Sequence, residues 1–467
     1  MSDFMNLVLY YLERAVILAI AALPVAGGLI LAASQIYQKK YGDSRKFPWK
    51  KAILILALCA YLIGLCYITI IRGSISGWRN INFHLFRAWR EAWNTFSEKH
   101  WLNVLLNIGM FVPLGILLPL LSQRMRKWYW MLPVGFLTTL AIETIQYFTY
   151  RGLCDVDDLF ANTLGAMIGY WLVMAALHIR HSSWKKALCH GAALALTAVS
   201  VGGIFVAYEL QEYGNLSTAP AFRVDTSGVR WQVDCELETA ESTVSIYQTT
   251  PKSRKECEAI GRAFLESIGV TEVDVTVYNE EVYLREFYGN RIAEVFFADG
   301  HLEYWDLNSI DFETAAYAEV DEQTLRTMLA EYGIEVPEKA ELTYEGEGVH
   351  IFRVSRYVDG DTMTDGELIC TVEQDFGLRE IKNRMVTFQY YGEASIISPE
   401  DAVEQVKSGL ISGGDWFERV KPKEVHILSC ELVFRVDTKG FYQPVYEMEL
   451  ESPGENYSAV IHIPALQ

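Results

Sequence analysis

The chain lacks the residue spacings that identify most soluble enzymes and metal-binding proteins. Its eight cysteines follow no motif spacing, and the histidines of its C-terminal half are scattered. The even count of Cys235, Cys257, Cys370 and Cys430 permits disulfides, but the sequence does not assign the pairs. The first apolar run also lacks the small-residue cleavage site of a signal peptide, so we expect it to remain as a membrane span.

Acidic residues are scarce in the first half of the chain, and in the second half they outnumber basic residues by more than two to one. Residues 1–208 hold 19 Lys and Arg against 9 Asp and Glu, a net charge of +10. The remaining residues hold 21 basic and 50 acidic side chains, a net charge of −29. Nucleic acid is an unsuitable partner for so acidic a region, because phosphates need cations. At 467 residues, two or more structural units are expected.

Long apolar runs dominate the first half. They cover residues 15–36, 52–71, 102–121, 128–148, 158–178 and 187–208. Each has roughly the 20 residues that a helix needs to cross a hydrocarbon core. Basic residues concentrate in the alternate loops 37–51, 122–127 and 179–186. We therefore expect these loops to be cytoplasmic, with the N-terminus and the C-terminal half outside.

The loop 72–101 departs from this charge rule, because it holds five basic residues and should lie outside. Phe86, Trp89, Trp93 and Phe96 recur there at helical spacing and form one aromatic face. This pattern predicts an interfacial helix on the outer leaflet, with its aromatic side at headgroup depth. A plain membrane anchor explains it more simply than contact with a ligand.

Polar side chains gather where several spans should reach the outer surface. The set comprises Asn103, Asn107, Glu143, Gln146, Arg151, Asp155, Asp157, Asp158 and Asn162. Asp158 and Asn162 are four residues apart, so they share one face of the fifth span. An ionisable group inside a span is costly and usually faces protein or a water-filled cavity. The set is therefore a candidate functional site.

Structural roles compete with function for most of these residues. Asp155 or Asp157 would cap the fifth helix, and the asparagines would hydrogen-bond across helices. Ala161, Gly165 and Gly169 form a ridge of small residues that is typical of helix packing. Glu143 is harder to explain by packing alone.

Three segments of this region are similar to the blocks of a known family. They read NIGMFVPLG from Asn107, IETIQYF from Ile142 and RGLCDVDDLFANTLGAMIG from Arg151. Over roughly residues 50–178 the chain resembles the VanZ-like membrane proteins, a family associated with glycopeptide resistance and with teicoplanin in particular. The resemblance carries the family pattern onto Asn107, Pro113, Gly115, Glu143, Gln146, Arg151, Asp155, Asp158, Asn162, Gly165 and Gly169.

The polar set offers carboxylates, amides and one guanidinium but no familiar catalytic arrangement. It contains no histidine, which excludes a Ser-His-Asp triad. Cys154 lacks the local base that a thiolate nucleophile needs. The outer carboxylates could bind a divalent cation through oxygen ligands, but we predict no resident metal or cofactor.

The sequence of the acidic half predicts a domain of three similar cycles, each a helix followed by a set of antiparallel strands. The helical patterns SRKECEAIGRAFLESIGV, DEQTLRTMLAEYGI and SPEDAVEQVKSGL each precede segments that alternate like antiparallel strands. Hairpin turns are indicated at Gly289–Asn290, Asp299–Gly300 and Asp359–Gly360. The arrangement resembles the PepSY-like and YycH/YycI-like extracytoplasmic modules of Gram-positive bacteria, which implies binding or regulation of envelope neighbours.

The sequence thus predicts a polytopic α-helical membrane domain of about six transmembrane helices, followed by an extracytoplasmic α+β domain of repeated helix and antiparallel-strand units. The membrane domain covers residues 1–208, a tether covers 209–221 and the acidic domain covers 222–467.

Three functions fit this organisation. The first is an envelope protein that lowers glycopeptide sensitivity by binding a membrane lipid, a lipid-linked envelope precursor or another lipophilic ligand at the outer membrane face. The second is a regulatory scaffold whose outer domain binds a sensor kinase or a cell-wall synthesis partner. The third is a membrane enzyme that acts on an envelope lipid through Glu143, Asp158 and Arg151.

Overall fold

Helices form the first part of the chain, and β-strands form most of the second. The computed structural model describes residues 27–40, 47–71, 81–150, 154–237, 242–278, 281–308, 316–374, 377–455 and 457–467. The chain divides into two compact units. The helical unit comprises Met1–Ala92 and Glu98–Leu210, and the β-rich unit comprises Trp93–Ser97 and Gln211–Gln467.

The helices of the first part follow one another with short connections. They are α1 (residues 27–40), α2 (Trp49–Cys66, continued by a π-helical turn at Tyr67–Ile71), α3 (Arg87–Thr95), α4 (Glu98–Leu121), α5 (Trp128–Thr149), α6 (Val156–Arg180) and α7 (Trp184–Leu210). Two short strands, β1 (Ile81–Asn82) and β2 (Cys154–Asp155), pair in parallel.

Four helices in the described part of the chain are long and apolar enough to cross a membrane. They cover Trp49–Ile70, Glu98–Leu121, Val156–Arg180 and Trp184–Leu210. Helix α5 has 22 residues, but Glu143, Gln146 and several threonines reduce its apolar character. Most of the predicted first span lies outside the described residues. Six spans are therefore not confirmed.

Three glycines allow α4 and α6 to touch through their backbones. A Cβ atom on Gly165 would lie 1.9 Å from the carbonyl oxygen of Ile108, and one on Gly115 would lie 1.9 Å from that of Ala166. A Cβ on Gly169 would lie 2.1 Å from the carbonyl oxygen of Val112. No side chain fits at these positions, so the glycines set how closely the two helices approach.

The predicted interfacial helix is shorter than its aromatic pattern suggests. Helix α3 ends at Thr95, and Phe96 has a positive φ of 43° that no regular helix contains. Trp89 makes edge contacts with Trp101 and Phe160, with ring centroids 6.3 and 6.5 Å apart. Part of the aromatic face therefore packs on α4 and α6.

The β-rich unit contains fourteen strands in its described residues, joined in one sheet. They are β3 (Arg230–Val233), β4 (Ser242–Gln248), β5 (Val273–Val277), β6 (Glu281–Glu286), β7 (Arg291–Phe296), β8 (Leu302–Asp306), β9 (Glu341–Gly346), β10 (Val349–Asp359), β11 (Thr362–Glu373), β12 (Gly377–Asn383), β13 (Val386–Ile396), β14 (Glu424–Val436), β15 (Phe441–Ser452) and β16 (Tyr457–Pro464).

The longest path through this sheet runs β3-β14-β15-β4-β13-β11-β12-β8-β7-β6-β5. Strands β10 and β9 continue from β11, and β16 pairs with β15. The pairs are antiparallel except β3 with β14, which is parallel. The three predicted cycles therefore share one sheet rather than forming separate ones.

Four helices accompany the sheet in the described residues. They are α8 (Arg254–Ser267), α9 (Glu322–Glu331), α10 (Pro399–Lys407) and α11 (Asp415–Val420). Helix α8 starts with a capping box, in which Ser253 and Glu256 bond each other's backbone N–H groups. The predicted hairpin turns are confirmed, because the chain reverses between β6 and β7, between β7 and β8, and between β10 and β11.

Candidate functional site

The predicted polar residues of α4, α5 and α6 come together at one end of these helices. Asn107 of α4 donates a hydrogen bond through Nδ2 to Oδ1 of Asp158, in the first turn of α6. Glu143 of α5 is buried, with 2% of its surface exposed. Its Oε2 accepts a hydrogen bond from the backbone N–H of Asp155 at 3.1 Å. One carboxylate from α5 thus meets the start of α6.

Asp155 caps α6, as one of the competing interpretations expected. Its side chain accepts a hydrogen bond from the backbone N–H of Asp157 at 2.8 Å. Its backbone is extended, as is typical of an N-cap residue. Asn82 donates its Nδ2 to the same oxygen, Oδ1, at 2.9 Å. The pairing of β1 with β2 places Asn82 directly beside Asp155.

Asp157 does not cap its own helix, α6, but bonds the backbone of another helix. Its carboxylate accepts hydrogen bonds from the backbone N–H groups of Phe86 and Ala88, the latter at 2.6 Å. It therefore satisfies the exposed amides at the start of α3. The two neighbouring aspartates stabilise two different helices.

Two amide side chains of the predicted set bond neighbouring helices. Asn162 donates its Nδ2 to Oγ1 of Thr139 on α5 at 2.9 Å. Gln146 donates its Nε2 to the carbonyl oxygen of Thr69, in the π-helical turn after α2, at 2.9 Å. Within the described residues, the buried Oδ1 of Asn162 has no hydrogen-bond partner. An unsatisfied buried acceptor is costly unless something else donates to it.

Four carboxyl groups, those of Glu143, Asp155, Asp157 and Asp158, are concentrated here. Glu143 lies within electrostatic range of both Asp158 and Asp155. The guanidinium of Arg87 acts on Asp155 and Asp157 instead. Burial raises the pKa of Asp155, although hydrogen bonds from Asp157 and Asn82 lower it. Arg151, the cation expected to balance this charge, lies outside the described residues.

Cys154 is poorly suited to act as a nucleophile. Burial, together with the nearby carboxylates of Glu143, Asp155 and Asp158, raises the pKa of its thiol. A protonated thiol attacks weakly, so this environment is the reverse of that of a catalytic cysteine. Among the described residues, no group of three or more His, Cys, Asp or Glu is arranged to hold a metal ion.

Three of the four remaining predicted residues, Gly115, Gly165 and Gly169, lie on the α4–α6 contact. Pro113 and Gly115 are inside α4, and Gly165 and Gly169 are inside α6, two and three turns after Asp158. Sequence reasoning missed Thr139 and Asn82. Thr139 is four residues before Glu143 and so lies on the same helical face, a spacing that could have revealed it. Asn82 sits in a loop without periodicity, and only its pairing with β2 reveals it.

Comparison with known proteins bears on the same region. Residues 58–179 match the VanZ/LLP1 family model. The match covers α4, α5, all but the last residue of α6 and every predicted site residue, and it ends before the strands β3 to β16. No curated protein matches the chain. The chain therefore contains a VanZ-like domain at residues 58–179, and the described residues include four helices suited to cross a membrane.

Proposed function

We propose that the protein lowers sensitivity to glycopeptide antibiotics by binding a lipid-linked or lipophilic ligand at the outer membrane face. The polar set around Glu143 and Asp158 is the binding site in this proposal. The ligand reaches it from the lipid, and its polar headgroup meets the buried carboxylates.

One observation carries this proposal: the polar set is rich in acceptors. The carboxylates of Glu143 and Asp158 lie near each other, and the buried Oδ1 of Asn162 is unpartnered within the described residues. Polar groups at this depth in a span usually face one another or a cavity and mark a pathway or binding site. A headgroup that carries amide, hydroxyl or ammonium donors complements them.

The proposal includes six spans with both termini outside. The basic residues Arg124, Arg126 and Lys127 connect α4 to α5, and Lys185 and Lys186 lie at the start of α7. The charge bias of these loops supports a cytoplasmic position for them. The polar set lies at the opposite ends of the helices and would then face outward.

Neutral isosteres test the site directly. Cells that express Glu143→Gln or Asp158→Asn should lose most of the protection against teicoplanin that the wild type gives, at equal membrane abundance. Each variant keeps the size of the side chain and removes its charge. Glu209→Gln, at an exposed position near the end of α7, is the matched control and should keep full protection. Unchanged protection by both site variants would contradict the proposal.

A second candidate function, a scaffold for an envelope protein, has its own support. Phe287 and Tyr288 lie in the β6–β7 turn, 53% and 85% exposed, with ring centroids 4.7 Å apart. Exposed paired aromatics are typical of interface anchors. The resemblance to PepSY-like modules points the same way. For a scaffold, the full-length Phe287→Ser/Tyr288→Ser double variant should lose protection while Glu143→Gln keeps it.

A further inference from the structure

Two cysteines of the β-rich unit lie near each other, Cys430 on β14 and Cys235 just beyond the end of its partner strand β3. Strand β3 runs parallel to β14, with Val233 opposite Ile427. The next residue continues this ladder, because the N–H of Asp234 donates to the carbonyl oxygen of Ile427 at 2.9 Å. His426 Nδ1 lies 2.7 Å from Asp234 Oδ2 and ties the same two segments together. Cys235 is the next residue along.

The position of Cys430 follows from the register of β14 with β15. Ile427 pairs with Leu450 and Cys430 pairs with Met448, and a bulge between them adds one residue to β14. Leu450 and Met448 are two residues apart on β15, so they share a face of the sheet. Ile427 and Cys430 therefore share that face as well, in spite of their odd spacing.

Both cysteines face the apolar cluster that lies under these two strands. Cys235 is two residues beyond the end of β3 and, like Val233, packs on this cluster. Cys235 and Cys430 pack on the same apolar cluster as Ile427 and Met448. Paired strands lie about 4.8 Å apart, which is within the Cα separation that a disulfide bridges.

We propose that Cys235 and Cys430 are the partners of a disulfide bond that fastens β3 to β14. Strand β3 has four residues and ends the longest path through the sheet, with β14 as its neighbour there. A short edge strand has few hydrogen bonds of its own, so a covalent link holds it in register. In the cell the bond rests on the proposed function, because it requires the β-rich unit to face the oxidising exterior.

The electrostatics of the two thiols agree with this pairing. Burial and, to a smaller extent, the neighbouring Cys235 raise the pKa of the Cys430 thiol to about 12. Burial and Asp234 raise the pKa of Cys235. Thiols of this kind exchange slowly, which is typical of a structural bond and not of a redox sensor.

The other two cysteines of this unit provide an internal contrast. Cys257 lies on α8 and Cys370 on β11, and both are fully buried. Cys257 Sγ contacts the carbonyl oxygen of Phe296 at 3.6 Å. We expect both to remain thiols under conditions that link Cys235 to Cys430.

Bond formation needs a disulfide as oxidant, either oxidised glutathione in vitro or an extracytoplasmic thiol–disulfide oxidoreductase. The thiolate of Cys235 attacks one sulfur of that disulfide, forms a mixed disulfide and releases the first thiol. The thiolate of Cys430 then attacks the Cys235 sulfur and releases the second thiol. Two electrons pass to the oxidant, and the two cysteine protons end on the released thiols.

Peptide mapping of the purified full-length protein tests the pairing itself. After incubation with oxidised glutathione and alkylation of free thiols, mass spectrometry should find Cys235 linked to Cys430, with Cys257 and Cys370 alkylated. Free Cys235 and Cys430, or either one joined to another cysteine, would overturn the proposal.

Thermal unfolding gives a second readout. Cys235→Ser, Cys430→Ser and the double variant should each lower the Tm of the oxidised protein by roughly 5 °C, because each removes the same cross-link. Dithiothreitol should lower the wild-type Tm equally and leave the variants unchanged. If the decreases in Tm of the two single variants add up in the double variant, the two cysteines have separate packing roles. That result would count against a bond between them.

Experiments on intact cells distinguish the disulfide proposal from the proposed topology. Removal of a C-terminal epitope by external protease would support the topology. If Cys235 and Cys430 of the same protein are alkylated without prior reduction, the disulfide proposal is overturned and the topology is not affected. A protected epitope would overturn the topology, and the glutathione experiment would still decide whether the pair forms a bond.

Discussion

The contacts between helices at the polar end of the helical unit differ from the core of the β-rich unit, and the solvents of the two units explain the difference. Where α4 and α6 meet, glycines bring backbones into contact and Asn107 bonds Asp158, and Asn162 of α6 bonds Thr139 of α5. The β-rich unit buries large apolar residues such as Phe352, Phe388 and Ile427. Lipid is as apolar as leucine and gives helices little reason to associate, whereas water drives apolar side chains together.

The same contrast appears in what each helix leaves uncovered. Half of the most apolar window of α6 is buried inside the unit, against 6% for α2 and for α7. In water such apolar surfaces would be a liability, but in a bilayer they face lipid. Close packing and polar contacts are thus concentrated on α6, the helix that also carries Asp158 and Asn162.

The largest expected effect comes from a cavity in the β-rich unit. Phe352, on β10, is fully buried, so Phe352→Ala should destabilise this unit by about 3–5 kcal/mol. Hydrogen exchange should show lost amide protection along β10 and β11, with protection of α4 and α6 retained. Tyr288→Ala, at a side chain that is 85% exposed, is the control and should change little. An equal loss of amide protection in both units would contradict the view that the two units are stabilised separately.

A smaller effect is expected from adding one methyl group between α4 and α6. Gly165→Ala places a Cβ 1.9 Å from the Ile108 carbonyl oxygen, so the helices must separate at a cost of about 2–3 kcal/mol. The yield of monodisperse protein in detergent should fall and exchange in α4 should rise. Gly109→Ala, where no atom lies within 4 Å of the added group, is the matched control. Identical behaviour of the two variants would show that glycine contact does not hold these helices.

The smallest expected effect is pH-dependent and confined to the β-rich unit. Glu294 lies opposite Glu303 on paired strands, and burial with Glu281 and Glu303 nearby raises its pKa to about 7. The folded state therefore holds this proton more tightly than the unfolded state, and stability falls as the pH rises from about 4.5 to 7.

Glu294→Gln should remove that loss and raise stability by about 1 kcal/mol at pH 8, after allowance for solvent screening, with no gain below pH 4.5. Hydrogen exchange of β7 and β8 as a function of pH measures it. Glu345→Gln, at an exposed position of β9, should leave the pH profile unchanged. A gain that is equal at all pH values would rule out titration of Glu294 as its cause.

Much of the helical unit could be predicted from the sequence, because a membrane limits what a chain can do. A run of about 20 apolar residues has few alternatives to a helix in lipid. Helices α2, α4, α5, α6 and α7 accordingly lie over five of the predicted runs. The end of α3 could not be predicted, because the positive φ of Phe96 depends on packing and not on composition.

The strand set was predictable only in part. Alternating patterns and glycine turns are local, and they identified the β6–β7, β7–β8 and β10–β11 hairpins. The placement of β4 between β15 and β13, and of β3 beside β14, joins residues that are far apart in sequence. Such pairings follow from the burial of one shared face, which no local pattern specifies.

The sequence by itself determined which residues carry polar chemistry into an apolar helix bundle, because charge and amide groups in such runs are visible without coordinates. It left open whether each aspartate serves as a cap or as part of the Glu143 site. Tertiary structure decided this. Asp155 bonds its own helix, Asp157 reaches across to the start of α3, and Asp158 bonds Asn107. Adjacent residues differ in role because successive side chains on a helix point in directions about 100° apart.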